Sequence, residues 1–594
     1  MKTFTAAIAL ATASMVALPA GPALAQEAEA PATPDWVETS NAYTQRLIAF
    51  QAQFYPLGAA FAGYEQYDGL VNDMSLDRDA RYLEGARALR AEFAAAIETE
   101  NNPYVQQDLQ ILIDSLDQSI EGTRINQTYA LEFSQVPEGM FGAISVMLSE
   151  QTAEHRRAKA LELLQRYTGT WPDTEPMTEL AKRRFEASRG EGKIGPYVVE
   201  VRESQGKIDT FATGIRALFE KYEIEGADEA LDAMDAQFAD YKRWTDEVIL
   251  PVSRDDPRLP PEIYAFSLKA WGIDADPQVT MAEARRGFYE VRAQMEALAP
   301  QIAAKYGWED TSYQGVMRAL KAQTIPNDEI EAFYRDVNAK LEAQMREHDI
   351  VSVPEYEMAM RLASEAESAA QPAPHMRPPR LIGNTGEQGT FVLTVSNPTA
   401  GEGEAYDDFN NAATSWTLSA HEARPGHEMQ FAVLVEQGVS LARLLYAFNS
   451  VNVEGWALYA EAEMLPYEPI EGQFMAQQFR LLRAARAFLD PMLNLGMITR
   501  EDAEKVLLED VMVSRPMAKQ ELDRYQFNMP GQAGAYYYGY RKLVDLRIEA
   551  EVALGDDFNE KAFNDFLLSQ GIIPLELVAQ AVREEFIPSQ RSGG

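Results

Sequence analysis

The 594 residues carry 53 Lys and Arg against 92 Asp and Glu, a formal charge of −39, with 46% apolar residues and no cysteine. An apolar share in the ordinary globular range excludes wholesale disorder, and the charge sets the chain against nucleic acid and anionic membrane surfaces, which bind through Lys and Arg. Without cysteine there are no disulfides, thiolate metal sites, cysteine nucleophiles or cysteine-linked lipid, so a transition-metal site must use Asp, Glu and the five histidines, His155, His348, His375, His421 and His427.

Residues 1–25 read as an export signal. Lys2 is the positive head, Phe4 to Val16 the apolar stretch, and Ala23-Leu24-Ala25 fits the small-residue cleavage rule. Cleavage near Ala25 predicts a periplasmic or secreted protein. Residues 26–34 (QEAEAPATP) read as a flexible leader. No later run approaches the roughly 18 apolar residues of a membrane span, so none is expected.

From 35 to 370 the chain reads as successive amphipathic helices forming one helical part. Tyr82, Ala86, Leu89, Phe93 and Ile97 recur at helical spacing, as do Leu161, Leu164 and Tyr167. Pro251, Pro257, Pro260 and Pro261 predict a loop. A second part, 371–594, opens on QPAPHMRPPR, which cannot be an uninterrupted helix. Thr390 to Val395 is the clearest strand, a candidate edge for an extended peptide. Helix then resumes through Thr414 to Ala420, again around Met475, Phe479, Leu482 and Leu489, and from Leu575 to Val582. The predicted fold class is mainly α, a large multi-helix fold with a small β element beside the histidine pair.

That pair lies in T-L-S-A-H-E-A-R-P-G-H-E-M-Q, with His421, Glu422 and His427. On an unbroken helix, residues six apart are turned by about 240° and cannot share an ion. Pro425 and Gly426 predict a break that can bring both imidazoles to one point. In V-E-G-W-A-L-Y-A-E, Glu454 and Glu461 share a helix face. Glu454, one helix further on, is a candidate third ligand of a His₂Glu zinc site, and Glu461 is a candidate to orient a ligand imidazole. A third segment runs from Arg524 to Arg541, R-Y-Q-F-N-M-P-G-Q-A-G-A-Y-Y-Y-G-Y-R, and offers phenols and guanidiniums for a developing oxyanion. Each fragment has a plainer reading: two nearby histidines by accident, a solvated carboxylate face, tyrosines and Trp456 as packing. Ser415 and Ser419 lack a G-x-S-x-G context, which argues against a serine hydrolase.

H-E-A-R-P-G-H-E-M-Q, E-G-W-A-L-Y-A-E and R-Y-x-x-x-P-G-Q-A-x-x-Y-x-x-G together resemble the bacterial DUF885 family, which is similar to gluzincin-type zinc metallopeptidases. The resemblance implies a helical fold around a deep cleft, with the part spanning 35–370 as its wall. It implies one zinc per chain on His421, His427 and Glu454, Glu422 as general base, and Tyr536 as oxyanion stabiliser. Arg524, Tyr525 and Arg541 are further substrate-binding candidates. Glu428 and Asn494 stand where the family pattern has histidine.

The expected function is an exported zinc peptidase hydrolysing short peptides. A metal-dependent amidase acting on modified or non-peptide amides, a catalytically silent peptide-binding protein, and a helical scaffold without metal are the alternatives. The preferred peptide end and the oligomeric state are not legible in the sequence.

Overall fold

Apolar residues spaced by three and four fall on helices in the computed structural model, which describes residues 35–591 apart from 150–151, 364–367, 369–370, 372, 380–381, 383, 385–387 and 395–406. Tyr82 to Ile97 lies within Arg78–Ile97, and Leu161 to Tyr167 within Lys159–Thr168. The fold is mainly α, with one small sheet of three strands among the described residues. The segments 1–25 and 26–34 lie outside the described residues. No helix among the described residues is long and apolar enough to cross a membrane.

Two compact units divide the described residues, the first running up to Ile263 with Ser440–Ala442, the second from Tyr264 to Val439 and from Arg443 onward. The division falls at Ile263 and Tyr264, not at the compositional change near 371, so helices from 264 onward belong with the C-terminal motifs. The first unit packs helices around Leu163, Met234 and Phe238, all buried.

In the second unit the elements that frame the histidine pair are, in chain order, α1 (Pro277–Tyr306), α2 (Ile330–Glu347), β1 (Ala359–Leu362), β2 (His375–Arg377), β3 (Thr390–Leu393), α3 (Thr414–Glu422), α4 (His427–Gln437), α5 (Ser450–Met464), α6 (Ile470–Asn494), α7 (Arg515–Asp523) and α8 (Ala535–Leu554), with shorter helices between and after them. Local signals set the ends. Asp276 caps the Gln278 N–H, Pro277 fills the first turn of α1, and Gly307 stops it at φ +72°. Asn449 caps α5 through the Asn452 N–H.

The sheet order is β1-β3-β2, with β1 parallel and β2 antiparallel to β3. The predicted strand is β3, which ends at Leu393; Val395 lies outside the described residues. Two expectations are corrected here. β3 is the central strand, paired on both sides, so a peptide cannot add along it. β1 interrupts a stretch read as helical, because four residues are too few to show a period of two.

α6 runs through the core with Phe474, Leu481 and Leu489 fully buried, each side chain contributing roughly 1.5–3 kcal/mol by burial. α1 packs along it, and Phe288 meets Phe488 edge to face at 5.4 Å. α5 is buried on nearly every side, the mark of an internal helix. It crosses α8 backbone to backbone: a Cβ on Gly539 would lie 2.0 Å from the Val451 carbonyl oxygen, and one on Gly455 2.6 Å from the Gly539 carbonyl carbon. Gly539→Ala must therefore push α8 off α5. We expect a loss of about 1–3 kcal/mol in denaturant unfolding; an unchanged midpoint would mean that the two helices part freely.

Candidate metal centre

α3 ends at Glu422 and α4 begins at His427, so the helix breaks between the two histidines. Ala423 (φ −99°, ψ −115°) and Gly426 (φ −75°, ψ −132°) leave helical geometry. Only glycine fits at 426, where a Cβ would sit 1.9 Å from the His421 carbonyl oxygen. The Arg424–Pro425 peptide is cis. Trp456 of α5 donates its indole N–H to the Pro425 carbonyl at 3.0 Å.

Arg424 is fully buried. Its Nε donates to Glu428 Oε2 at 2.7 Å, and its Nη1 to Glu342 Oε1 of α2 at 2.9 Å. Glu428 also accepts from the Tyr356 hydroxyl at 3.0 Å. Glu428 is thus the counter-charge that holds this turn.

The break turns both imidazoles inward, with ring centroids 4.9 Å apart and planes at 82°. Glu454 Oε2 lies 3.7 Å from His421 Nε2 and 3.5 Å from His427 Nε2. One donor atom from each of the three residues falls within 4.8 Å of the others. That oxygen is sealed from solvent and has no hydrogen-bond partner among the described residues. A buried polar atom normally has one, and a cation held jointly with the imidazoles satisfies it. Two imidazole nitrogens and a carboxylate oxygen are a zinc donor set with room for water.

Glu461 orients the first imidazole, accepting from His421 Nδ1 at 2.7 Å, and is itself held by the Thr417 hydroxyl at 2.8 Å. This carboxylate–histidine pairing leaves Nε2 facing the cluster. Burial lowers the His421 pKa, but Glu454 and Glu461 outweigh it and hold the ring up to about 9. Burial raises Glu454, and the two imidazoles outweigh that, holding its carboxyl well below the usual range. The site is electrostatically built around positive charge. Glu422 Oε1 lies 4.0 Å from His421 Nε2, while its Oε2 accepts from the Met376 N–H of β2 at 2.8 Å.

Tyr536, in the first turn of α8, lies nearly parallel to the His421 ring, with centroids 6.3 Å apart. Its hydroxyl accepts from Arg524 Nη2 at 3.1 Å. Arg524 also donates to Gln532, whose amide N–H reaches Ser450 at 2.9 Å, so the P-G-Q-A segment fixes this arginine. Burial pushes the Tyr536 pKa up, with Arg524 pulling the other way, so the phenol keeps its proton.

Two sequence candidates stand elsewhere. Arg541 is exposed, with Asp545 4.0 Å away. Tyr525 is buried, but its hydroxyl donates to Glu521 at 2.7 Å, and Glu521 also binds Arg486 through two hydrogen bonds. Asn494 donates to Asp490 and the Tyr525 carbonyl, while Asp490 accepts from the Gly531 N–H, so Asn494 supports the loop before α8. Ser415 donates to the Ala412 carbonyl and Ser419 is buried, which offers no exposed nucleophile.

Sequence reasoning missed Thr417, Arg483, Arg486 and the Met376 N–H. Thr417 was open to discovery, lying four residues before His421 and so one turn away on the same face. The arginines sit among the apolar positions used to define α6, and their facing Tyr536 is a tertiary fact.

A model of the family "Bacterial protein of unknown function (DUF885)" matches residues 56–582, and the chain belongs to that family. Two solved structures share the fold at 18% identity and a TM-score of 0.71, each covering 93% of this chain. One is a candidate lipoprotein of unknown function from Shewanella oneidensis, covered over 100% of its length, the other a candidate lipoprotein from Colwellia psychrerythraea, covered over 98%. No curated protein matches.

Proposed function

We propose that this DUF885 chain is an exported, periplasmic zinc-dependent peptidase that hydrolyses short peptides, a chemistry like that of gluzincin metallopeptidases. The observation that carries the reading is the convergence of His421, His427 and Glu454 around the sealed, unpartnered Glu454 oxygen. Glu422 stands beside them, a base that a purely binding site does not need. The export signal and the likeness to two candidate lipoproteins support the location.

His421, His427 and Glu454 would hold the metal. Zinc bound there supplies a Lewis acid for the scissile carbonyl and lowers the pKa of water. Glu422 takes the proton of the attacking water and delivers it to the leaving amine. The Tyr536 hydroxyl, held by Arg524, has its proton free among the described residues and donates it to the developing oxyanion. Glu461 keeps His421 in the tautomer that presents Nε2 inward.

A peptide rather than an isolated amide is favoured by β2. This outer strand pairs with β3 on one side and points its Met376 N–H at Glu422 on the other, so that side borders the reacting groups. The edge proposed from the sequence thus moves from β3 to β2.

The test is to purify the chain, measure its metal, and incubate it with a mixed library of short peptides. About one zinc per chain, with cleavage abolished by a chelator and restored by zinc, supports the reading. Zinc without cleavage favours the silent binding protein, and no zinc overturns the ligand assignment.

A further inference from the structure

Three guanidiniums surround Tyr536, with Arg486, Arg524 and Arg483 carbons 4.6, 5.3 and 5.8 Å from its ring centre. Two of them are engaged, Arg486 by Glu521 and Arg524 by Gln532 and Tyr536. Arg483 is not. It is only 5% exposed, its Nε is sealed without a hydrogen-bond partner, and its guanidinium makes no hydrogen bond to any described residue. Its nearest carboxylate oxygen, Glu461 Oε1, is 3.9 Å away and already bound to His421. Phe479 covers one face at 4.7 Å.

A buried arginine cannot shed its proton, and burying its N–H donors without hydrogen bonds is unfavourable. Such a fork matches a carboxylate, which it can bind through two parallel hydrogen bonds. The position narrows the carboxylate further. Glu461 Oε1 is 3.9 Å from Arg483 and 2.7 Å from the His421 ring, so one side chain separates the guanidinium from the proposed ligands. An extended peptide advances about 3.3–3.6 Å per residue. A carboxylate on Arg483 therefore lies a few residues from a carbonyl held at the metal centre.

We propose that Arg483 receives the C-terminal carboxylate of the substrate, so that the enzyme cleaves short peptides near their free carboxyl end. This rests on the peptidase reading and gives it a direction. Arg483 sets specificity and takes no part in proton transfer.

The test compares trialanine, trialanine amide and Ala-Ala-Asp amide by calorimetry on the zinc-treated Glu422→Gln chain, and by turnover on the wild type. The acid should bind about 100-fold more tightly than either amide, and turnover should follow the same order. Arg483→Met should erase the preference while zinc content and circular dichroism stay unchanged, and Arg483→Lys should restore part of it. Equal binding of acid and trialanine amide, or no binding of any peptide, overturns the proposal. Ala-Ala-Asp amide binding as well as the acid overturns the end preference, since any carboxylate would then serve. Absent zinc or absent wild-type turnover sinks the peptidase reading instead, while the binding comparison still judges Arg483.

Discussion

Glu422→Gln is expected to keep zinc bound and to lower kcat on a short peptide about a thousandfold, within the 10²–10⁴ range of general-base catalysis. The substitution keeps size and shape, and the Gln oxygen can still accept the Met376 N–H that Glu422 accepts at 2.8 Å. The strand edge and the helix break therefore stay in place. What is lost is the ability to take a proton beside His421. KM should change little, because no ground-state contact to the peptide is removed. Metal analysis and steady-state kinetics on one preparation check this. Turnover within tenfold of wild type would exclude Glu422 as the base, and loss of zinc would make it a ligand.

The helices were legible because their apolar positions repeat, as in Tyr82, Ala86 and Phe93, all buried on one helix. The convergence of His421, His427 and Glu454 was legible for a different reason. Pro425 and Gly426 announce a break, and a break is the one way histidines six apart can converge. The sheet was half legible. β3 is an apolar run, but β1 and β2 have four and three residues, and partner order is set by tertiary packing that no local pattern encodes. Glu428 shows the limit from another side. In the sequence it is a departure from a family pattern, and only the fold reveals Arg424 beside it. Arg483 is the sharpest instance: an arginine on a helix reads as surface, and its burial against Phe479 and Tyr536 depends on residues distant in sequence.

Arg424→Met carries the second large expected effect, a loss of about 3–5 kcal/mol in unfolding free energy, because it strands the fully buried Glu428 without its partner. Arg424 also ties the turn to Glu342 and to the Tyr356 carbonyl. Its removal therefore loosens the segment that sets the distance between His421 and His427, and zinc should bind more weakly as well. Adding Glu428→Met to the same chain separates the two consequences. The double variant should recover much of the stability, since a buried ion pair replaced by apolar groups of similar volume is often neutral. Its zinc affinity should stay low, because the ties to α2 are still missing. Denaturant unfolding and zinc titration of the wild type, Arg424→Met and the double variant decide the matter. If affinity returns together with stability, the turn is held by Pro425, Gly426 and Trp456 alone, and the Arg424 network supports only the fold.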